Sequence, residues 1–341
     1  MNAKVITNET PGGERAILGD ILPLDTPKLV QLFPVYACNF RCEYCFHALS
    51  KEQRGYDCDT VYMEFDLFKK SIDDMGAFPA KIKMLRIAGL GEPLMHKNIA
   101  EMVDYAKMSE KFRNVNIVTN AFLLNDELSL KLIKAKLDML RISIQGISAQ
   151  QYKEIADVKI NFEKFVDNIR FFFEHRSETK VYIKIIDCAL KTEEDKNKFF
   201  EIFGDICDLI SIEYMTPTVE GIDYDKLSER IDSSYTQSGN SLSDTKICPM
   251  PYYMIQINPD GYAIPCCGWQ IPIRLGNIKE TSIVDIWNCQ DYSGFRERML
   301  TGAVNCGKVC AACTLYRYGS FPEDNLDSYV EKLLPIYKHK F

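Results

Sequence analysis

Residues 38–46 read Cys38-Asn39-Phe40-Arg41-Cys42-Glu43-Tyr44-Cys45-Phe46, a C-x3-C-x2-C array. Three thiols are one short of a closed site. A structural zinc or an electron-transfer cubane takes four protein ligands, so three close cysteines point to an iron–sulfur cluster whose fourth iron is left for another molecule. A chance group of core or zinc-binding cysteines is the plainer alternative.

Around this array, from residue 27 to about 220, short apolar runs alternate with longer stretches of helical period. Strands are expected near 28–36, 82–89, 114–119, 138–145, 180–188 and 209–215. Amphipathic helices are expected near 64–75, 97–109, 126–136, 148–155, 162–175 and 193–204. Six such βα units predict an α/β fold, a partial (β/α)6 TIM barrel with its chemistry at the C-terminal strand ends. Strand residues alternate between two faces. Leu140, Ile142 and Ile144 therefore oppose Arg141, Ser143 and Gln145, and Ile183 and Ile185 oppose Tyr182, Lys184 and Cys188. With helices covering the outside, the polar set points inward with Asn116, Asn120, Ser211 and Glu213, and the interior becomes a substrate cavity.

The 341 residues, 46% of them hydrophobic, suffice for one large and one smaller domain. A net charge of −7 and a pI near 5.3 argue against nucleic acid as a partner. No apolar run reaches the ~18 residues of a membrane span, and the polar start lacks the apolar core of a signal peptide, so no membrane partner and a cytoplasmic location are expected. In that compartment thirteen cysteines are better explained by metal ligation than by disulfides.

The cysteine array, with an aromatic residue before its last cysteine, resembles the cluster loop of the radical S-adenosylmethionine (SAM) superfamily. The turn Gly89-Leu90-Gly91-Glu92-Pro93 resembles that family's GGEP segment, and Arg141 to Ile155 its fourth-strand segment. The resemblance implies that Cys38, Cys42 and Cys45 hold a 4Fe–4S cluster whose free iron is chelated by SAM. It further implies that Tyr44 packs near the adenine, that Gly91 and Glu92 hold the SAM amino group, and that Ser143 binds the carboxylate, with Asn120 and Gln145 beside it. Gln145 stands where the family commonly has Asp, and Ala156-Asp157-Val158 replaces a frequent Arg-Gly pair. Lys159 and Lys184 are therefore the candidates for the basic residue that assists the carboxylate.

Residues 221–246 lose apolar periodicity and read as a linker between the barrel, 27–220, and a C-terminal domain, 247–341; residues 1–26 read as an N-terminal extension. The tail resembles the SPASM/twitch domains that carry auxiliary 4Fe–4S clusters. Its spacing is close to that of the 2-deoxy-scyllo-inosamine dehydrogenases, which implies one auxiliary cluster on Cys248, Cys266, Cys310 and Cys313, with Cys267 and Cys306 left over.

The resemblance implies hydrogen abstraction from an unactivated C–H bond, with electrons from a donor such as flavodoxin or ferredoxin. A fully ligated second cluster favours oxidation, with Glu213 or Lys184 as base for an alcohol proton. Epimerisation, with Cys188 as hydrogen donor, is the competing outcome. Only some 26 residues precede the first expected strand, too few for the leader-binding domain common in peptide-modifying members. A small polar substrate is therefore expected, a cyclitol, amino sugar or nucleotide sugar, with radical peptide maturation as the alternative.

Overall fold

A computed structural model describes residues 1–50, 52–54, 60–227 and 234–338. All six expected strands are present, each somewhat shorter than its apolar run. Ten strands form one sheet: β1 (Lys4–Val5), β2 (Leu29–Leu32), β3 (Met84–Ile87), β4 (Val115–Thr119), β5 (Met139–Ile144), β6 (Lys180–Ile186), β7 (Leu209–Glu213), β8 (Met254–Ile257), β9 (Tyr262–Ile264) and β10 (Gly276–Asn277), in the order β1-β7-β6-β5-β4-β3-β2-β8-β9-β10. The six central strands, β2 to β7, are parallel neighbours and form the partial barrel.

The six expected helices cover the barrel's outside, at Phe65–Asp74, Ile99–Met108, Asp126–Lys134, Ala149–Ala156, Phe162–His175 and Glu193–Phe203. Four of their starts carry side-chain caps, which satisfy amides that the first turn leaves without partners. Asn125, Ser148 and Asn161 each accept from the amide three residues on, and Thr192 forms a reciprocal capping box with Asp195. The apolar strand phase packs beneath them: Leu140, Ile142, Ile144, Ile183 and Ile185 are at most 1% exposed.

The terminal segments extend the sheet at both edges. Lys4 and Val5 pair in parallel with Leu209 and Ile210. At the other edge β8 of the C-terminal region pairs in parallel with β2, and the Asn258-Pro259-Asp260-Gly261 turn folds β9 back on it, with Gly261 at φ +92°. A second apolar core unites Leu18 and Leu22 with Met250, Tyr252, Phe295, Met299 and Leu333. The N-terminal stretch is bound to this region by Trp287 Nε1, which donates to the Leu24 carbonyl (3.1 Å), and by Lys332 Nζ, which donates to that of Gly19 (2.8 Å). The linker expected over 221–246 lies partly outside the described residues. Among those described, no helix is long and apolar enough to cross a membrane.

Candidate active site and auxiliary cavity

The cysteine loop follows β2 and is held against the C-terminal strand ends by backbone bonds. Arg41 and Glu43 amides donate to the carbonyls of Ala156 and Ile155 at the end of one helix, both at 2.9 Å, and the Glu92 amide donates to Ala37 (2.8 Å). Gly91 makes that approach feasible: a Cβ there would stand 2.1 Å from the Val35 carbonyl oxygen and 2.5 Å from that of Ala37. The glycine turn thus closes first upon the chain's own cysteine loop.

Cys38, Cys42, Cys45, Tyr44, Gly91, Glu92, Asn120, Ser143 and Gln145 all line one cavity of about 230 Å³ at the tips of β3, β4 and β5. The sequence assignments for this end converge on one place. Asn120 Nδ2 donates to Asn39 Oδ1 (2.8 Å) and approaches Cys38 Sγ (3.9 Å). The Tyr44 hydroxyl donates to Gln145 Oε1, which ties the loop to β5.

Glu92 is 2% exposed and its carboxylate is already engaged. Oε1 accepts from the Leu94 amide (2.9 Å) and the Thr119 hydroxyl (2.6 Å), and Oε2 from the Asn120 amide (2.7 Å). Burial raises its pKa to about 7, opposed by these three donors. The side chain therefore fastens the tip of β4 to the turn after β3, and Thr119 is the partner that sequence reading missed.

The donor set suits a cluster with one open iron. Burial pushes the Cys38 thiol up to about 12 and also raises Cys42 and Cys45, so all three need a cation to become thiolates. The Glu92 oxygens are committed to protein donors and Glu213, the other carboxylate of the lining, is held by Lys184, so three thiols are what the cavity offers a metal centre. Among the described residues, no three His, Cys, Asp or Glu side chains converge as one bound metal ion demands. A tetrahedral zinc, with ~2.3 Å metal–sulfur bonds, would draw its thiols together, whereas a cubane holds each thiolate at a different corner.

Beneath this cavity the barrel interior is itself hollow, with a volume of about 560 Å³. Arg141, Tyr182, Lys184, Ser211 and Glu213 line it, so the polar phase faces inward as expected. Lys184 and Glu213 line both cavities and are bonded to each other, Nζ to Oε2 at 2.6 Å. Gln237 Nε2 also donates to Glu213 (2.9 Å), and Tyr182 bonds Ser211 (2.6 Å). Cys188 lies elsewhere. β6 ends at Ile186 and Asp187–Ala189 forms a 3-10 turn, so alternation stops and Cys188 lines neither cavity. Lys159 is exposed and likewise outside both.

A third cavity, of about 400 Å³, is lined by Cys248, Cys266, Cys310 and Cys313 together. Burial raises all four thiols, and Cys266, Cys310 and Cys313 each add to the cost of charging Cys248. The chemistry of this donor set fits a closed four-thiolate cluster. Cys306 is not in the lining, and Cys267 lines the barrel cavity instead. Tyr224 connects the two cysteine groups. It lines the four-thiol cavity while its hydroxyl donates to the Tyr44 carbonyl (3.3 Å).

Fold, loop and second thiol cavity together define a radical SAM protein with an appended iron–sulfur domain. The radical SAM superfamily model matches residues 32–196, and the SPASM iron-sulfur cluster-binding domain model matches residues 248–314. The chain thus carries a radical SAM domain followed by a SPASM domain; its cofactors are SAM and 4Fe–4S clusters, one of them auxiliary. It is 25% identical over 298 residues to the tungsten-containing aldehyde ferredoxin oxidoreductase cofactor-modifying protein of Pyrococcus furiosus, covering 76% of this chain and 80% of that one. It is 21% identical over 277 residues to the PqqA peptide cyclase of Granulibacter bethesdensis, covering 74% and 71%. Its fold is similar to BtrN in complex with AdoMet and 2-DOIA (TM-score 0.53, 17% identity, 84% of this chain and 92% of that one). It is also similar to Streptococcus suis SuiB bound to S-adenosylmethionine (TM-score 0.62, 16% identity, 88% and 74%).

Proposed function

We propose that this radical SAM enzyme oxidises an alcohol of a small polar substrate, a cyclitol, amino sugar or nucleotide sugar, held in the barrel cavity. The bound cofactors supply the difficult chemistry, a hydrogen-abstracting 5′-deoxyadenosyl radical from SAM at the cluster of Cys38, Cys42 and Cys45, and an electron sink at the auxiliary cluster of Cys248, Cys266, Cys310 and Cys313. An electron donor such as flavodoxin or ferredoxin would serve the first cluster. The protein's part is to place the substrate and to take the hydroxyl proton.

The observation that carries this reading is the Lys184–Glu213 pair, whose 2.6 Å bond stands where the cysteine-lined cavity opens into the barrel cavity. Glu213 is the base and Lys184 holds it by a charge-assisted bond; Tyr182 and Gln237 fix its other contacts. Ser143, Asn120 and Gln145 orient SAM beside Tyr44, with Gly91 and Glu92 closing the wall. Because Cys188 lies outside both linings, its position gives epimerisation through that thiol no support.

Peptide maturation is the second reading, supported by the PqqA peptide cyclase relative and by the fold shared with SuiB bound to precursor peptide SuiA. Deuterium transfer into 5′-deoxyadenosine from labelled carbohydrates decides between them. Enrichment from a cyclitol or sugar is the expected result. Enrichment from peptides alone would overturn the first reading.

A further inference from the structure

The barrel cavity carries more positive charge than its carboxylates neutralise. Of the cations lining it, Arg15 is paired with Asp324 (2.6 Å to Oδ2) and Lys184 with Glu213. The remaining carboxylate of the lining, Glu9, is bonded to Lys4 (2.8 Å). Arg86, Arg141, Lys28 and Lys83 line the same space, and none of them forms an ion pair among the described residues.

Arg86 on β3 and Arg141 on β5 flank β4, where register pairs Asn116 with Arg86 and Val118 with Arg141. The Nε atoms of both arginines, and the Oδ1 of Asn116, are buried without a partner. Arg86 Nη2 reaches only the Met84 sulfur, at 3.7 Å, and Arg141 lies over the Tyr182 ring at 5.4 Å. Burial and the neighbouring Arg141 pull the Arg86 pKa down to about 10. Two guanidiniums that repel one another inside a protein, with buried N–H donors left over, are unfavourable unless an anion joins them.

We propose that Arg86 and Arg141 bind a phosphate group of the substrate, with Lys28 and Lys83 extending the site toward the N-terminal mouth of the barrel. This inference rests on the barrel cavity being the substrate site. Two planar guanidiniums match a phosphate in charge and in bidentate geometry better than they match a single carboxylate. The spacing fits a small molecule. Arg141 is one pleat, about 7 Å, from Ser143, and Ser143 is in register with Lys184. A phosphate seated on the arginines therefore leaves room for about one sugar ring before the Lys184–Glu213 pair. The substrate class narrows to a sugar phosphate or nucleotide.

The test is calorimetric titration of the anaerobically reconstituted full-length protein with inorganic phosphate and pyrophosphate, with acetate as competitor. Saturable binding is expected, indifferent to acetate at equal concentration and weakened at least tenfold by Arg141→Gln. Lys83→Gln, at an exposed rim position, should weaken pyrophosphate more than phosphate; it keeps the test decisive if the arginine variant does not fold. Equal binding of acetate, or unchanged affinity in both variants, would overturn the inference. Formation of 5′-deoxyadenosine by the same wild-type preparation separates the two proposals. Cleavage of SAM without anion binding removes the phosphate site and leaves the radical reading; anion binding without cleavage does the reverse.

Discussion

Gln31 Nε2 donates to Gln256 Oε1 at 2.6 Å, joining directly paired residues of β2 and β8, and Gln256 Nε2 passes the chain on to Asn258 Oδ1 (2.7 Å). Gln31 and Gln256 are 5% and 1% exposed, and only Gln31 borders the barrel cavity. Gln256→Leu would strand the Gln31 donor and the Asn258 acceptor at the seam between barrel and SPASM domain. A loss of about 1–3 kcal/mol is expected, read as a lower thermal midpoint of the reconstituted protein. An unchanged midpoint would show that the seam draws nothing from these amides.

Iron content separates the two thiol groups. Wild type should hold about eight irons per chain, as two 4Fe–4S clusters. Cys45→Ala should lower this to about four and abolish SAM cleavage, and Cys310→Ala should also lower it to about four through the other cluster. Cys267→Ala and Cys306→Ala should retain about eight, because neither thiol lines the four-cysteine cavity. Loss of iron in Cys306→Ala would reassign the auxiliary ligands.

Glu213→Gln keeps the shape of the side chain and removes its basicity. Substrate oxidation is expected to fall by about 10²- to 10⁴-fold, the usual worth of a positioned base. Deuterium transfer into 5′-deoxyadenosine, which precedes the proton step, should fall far less. Parallel collapse of both quantities would mean that Glu213 places the substrate instead of deprotonating it.

Tyr44 contributes a ring to the lining of the cysteine cavity and a hydroxyl to Gln145. Tyr44→Ala should weaken SAM binding by about three- to tenfold, in line with the ~0.5–1.5 kcal/mol of an aromatic contact. Tyr44→Phe, which keeps the ring, should weaken it less. Equilibrium dialysis with labelled SAM measures both, and a Phe variant as weak as the Ala variant would assign the effect to the hydroxyl.

The barrel was legible because its strands are buried on one phase and polar on the other, as Leu140, Ile142 and Ile144 against Arg141 and Ser143 show. The helices were legible from their period; caps such as Asn125 and Thr192, which the sequence reading did not use, fix where two of them start. What escaped was non-local. Lys4 and Val5 are two residues in a polar stretch, and nothing local announces their pairing with Leu209 and Ile210. The parallel match of Met254–Ile257 with Leu29–Leu32 spans more than two hundred residues of chain and leaves no periodic trace. Cys188 misled because alternation was extended past the true end of β6. Arg86 could have been found, since the phase test applied to β5 and β6 also turns it inward on β3.

Four register pairs stitch β8 to β2, and the ladder never breaks between the cysteine loop's strand and the SPASM hairpin. Hinged swinging of one iron centre away from the other would have to unzip that seam. A stiff shared plate instead makes the spacing of the two iron centres a property of the backbone.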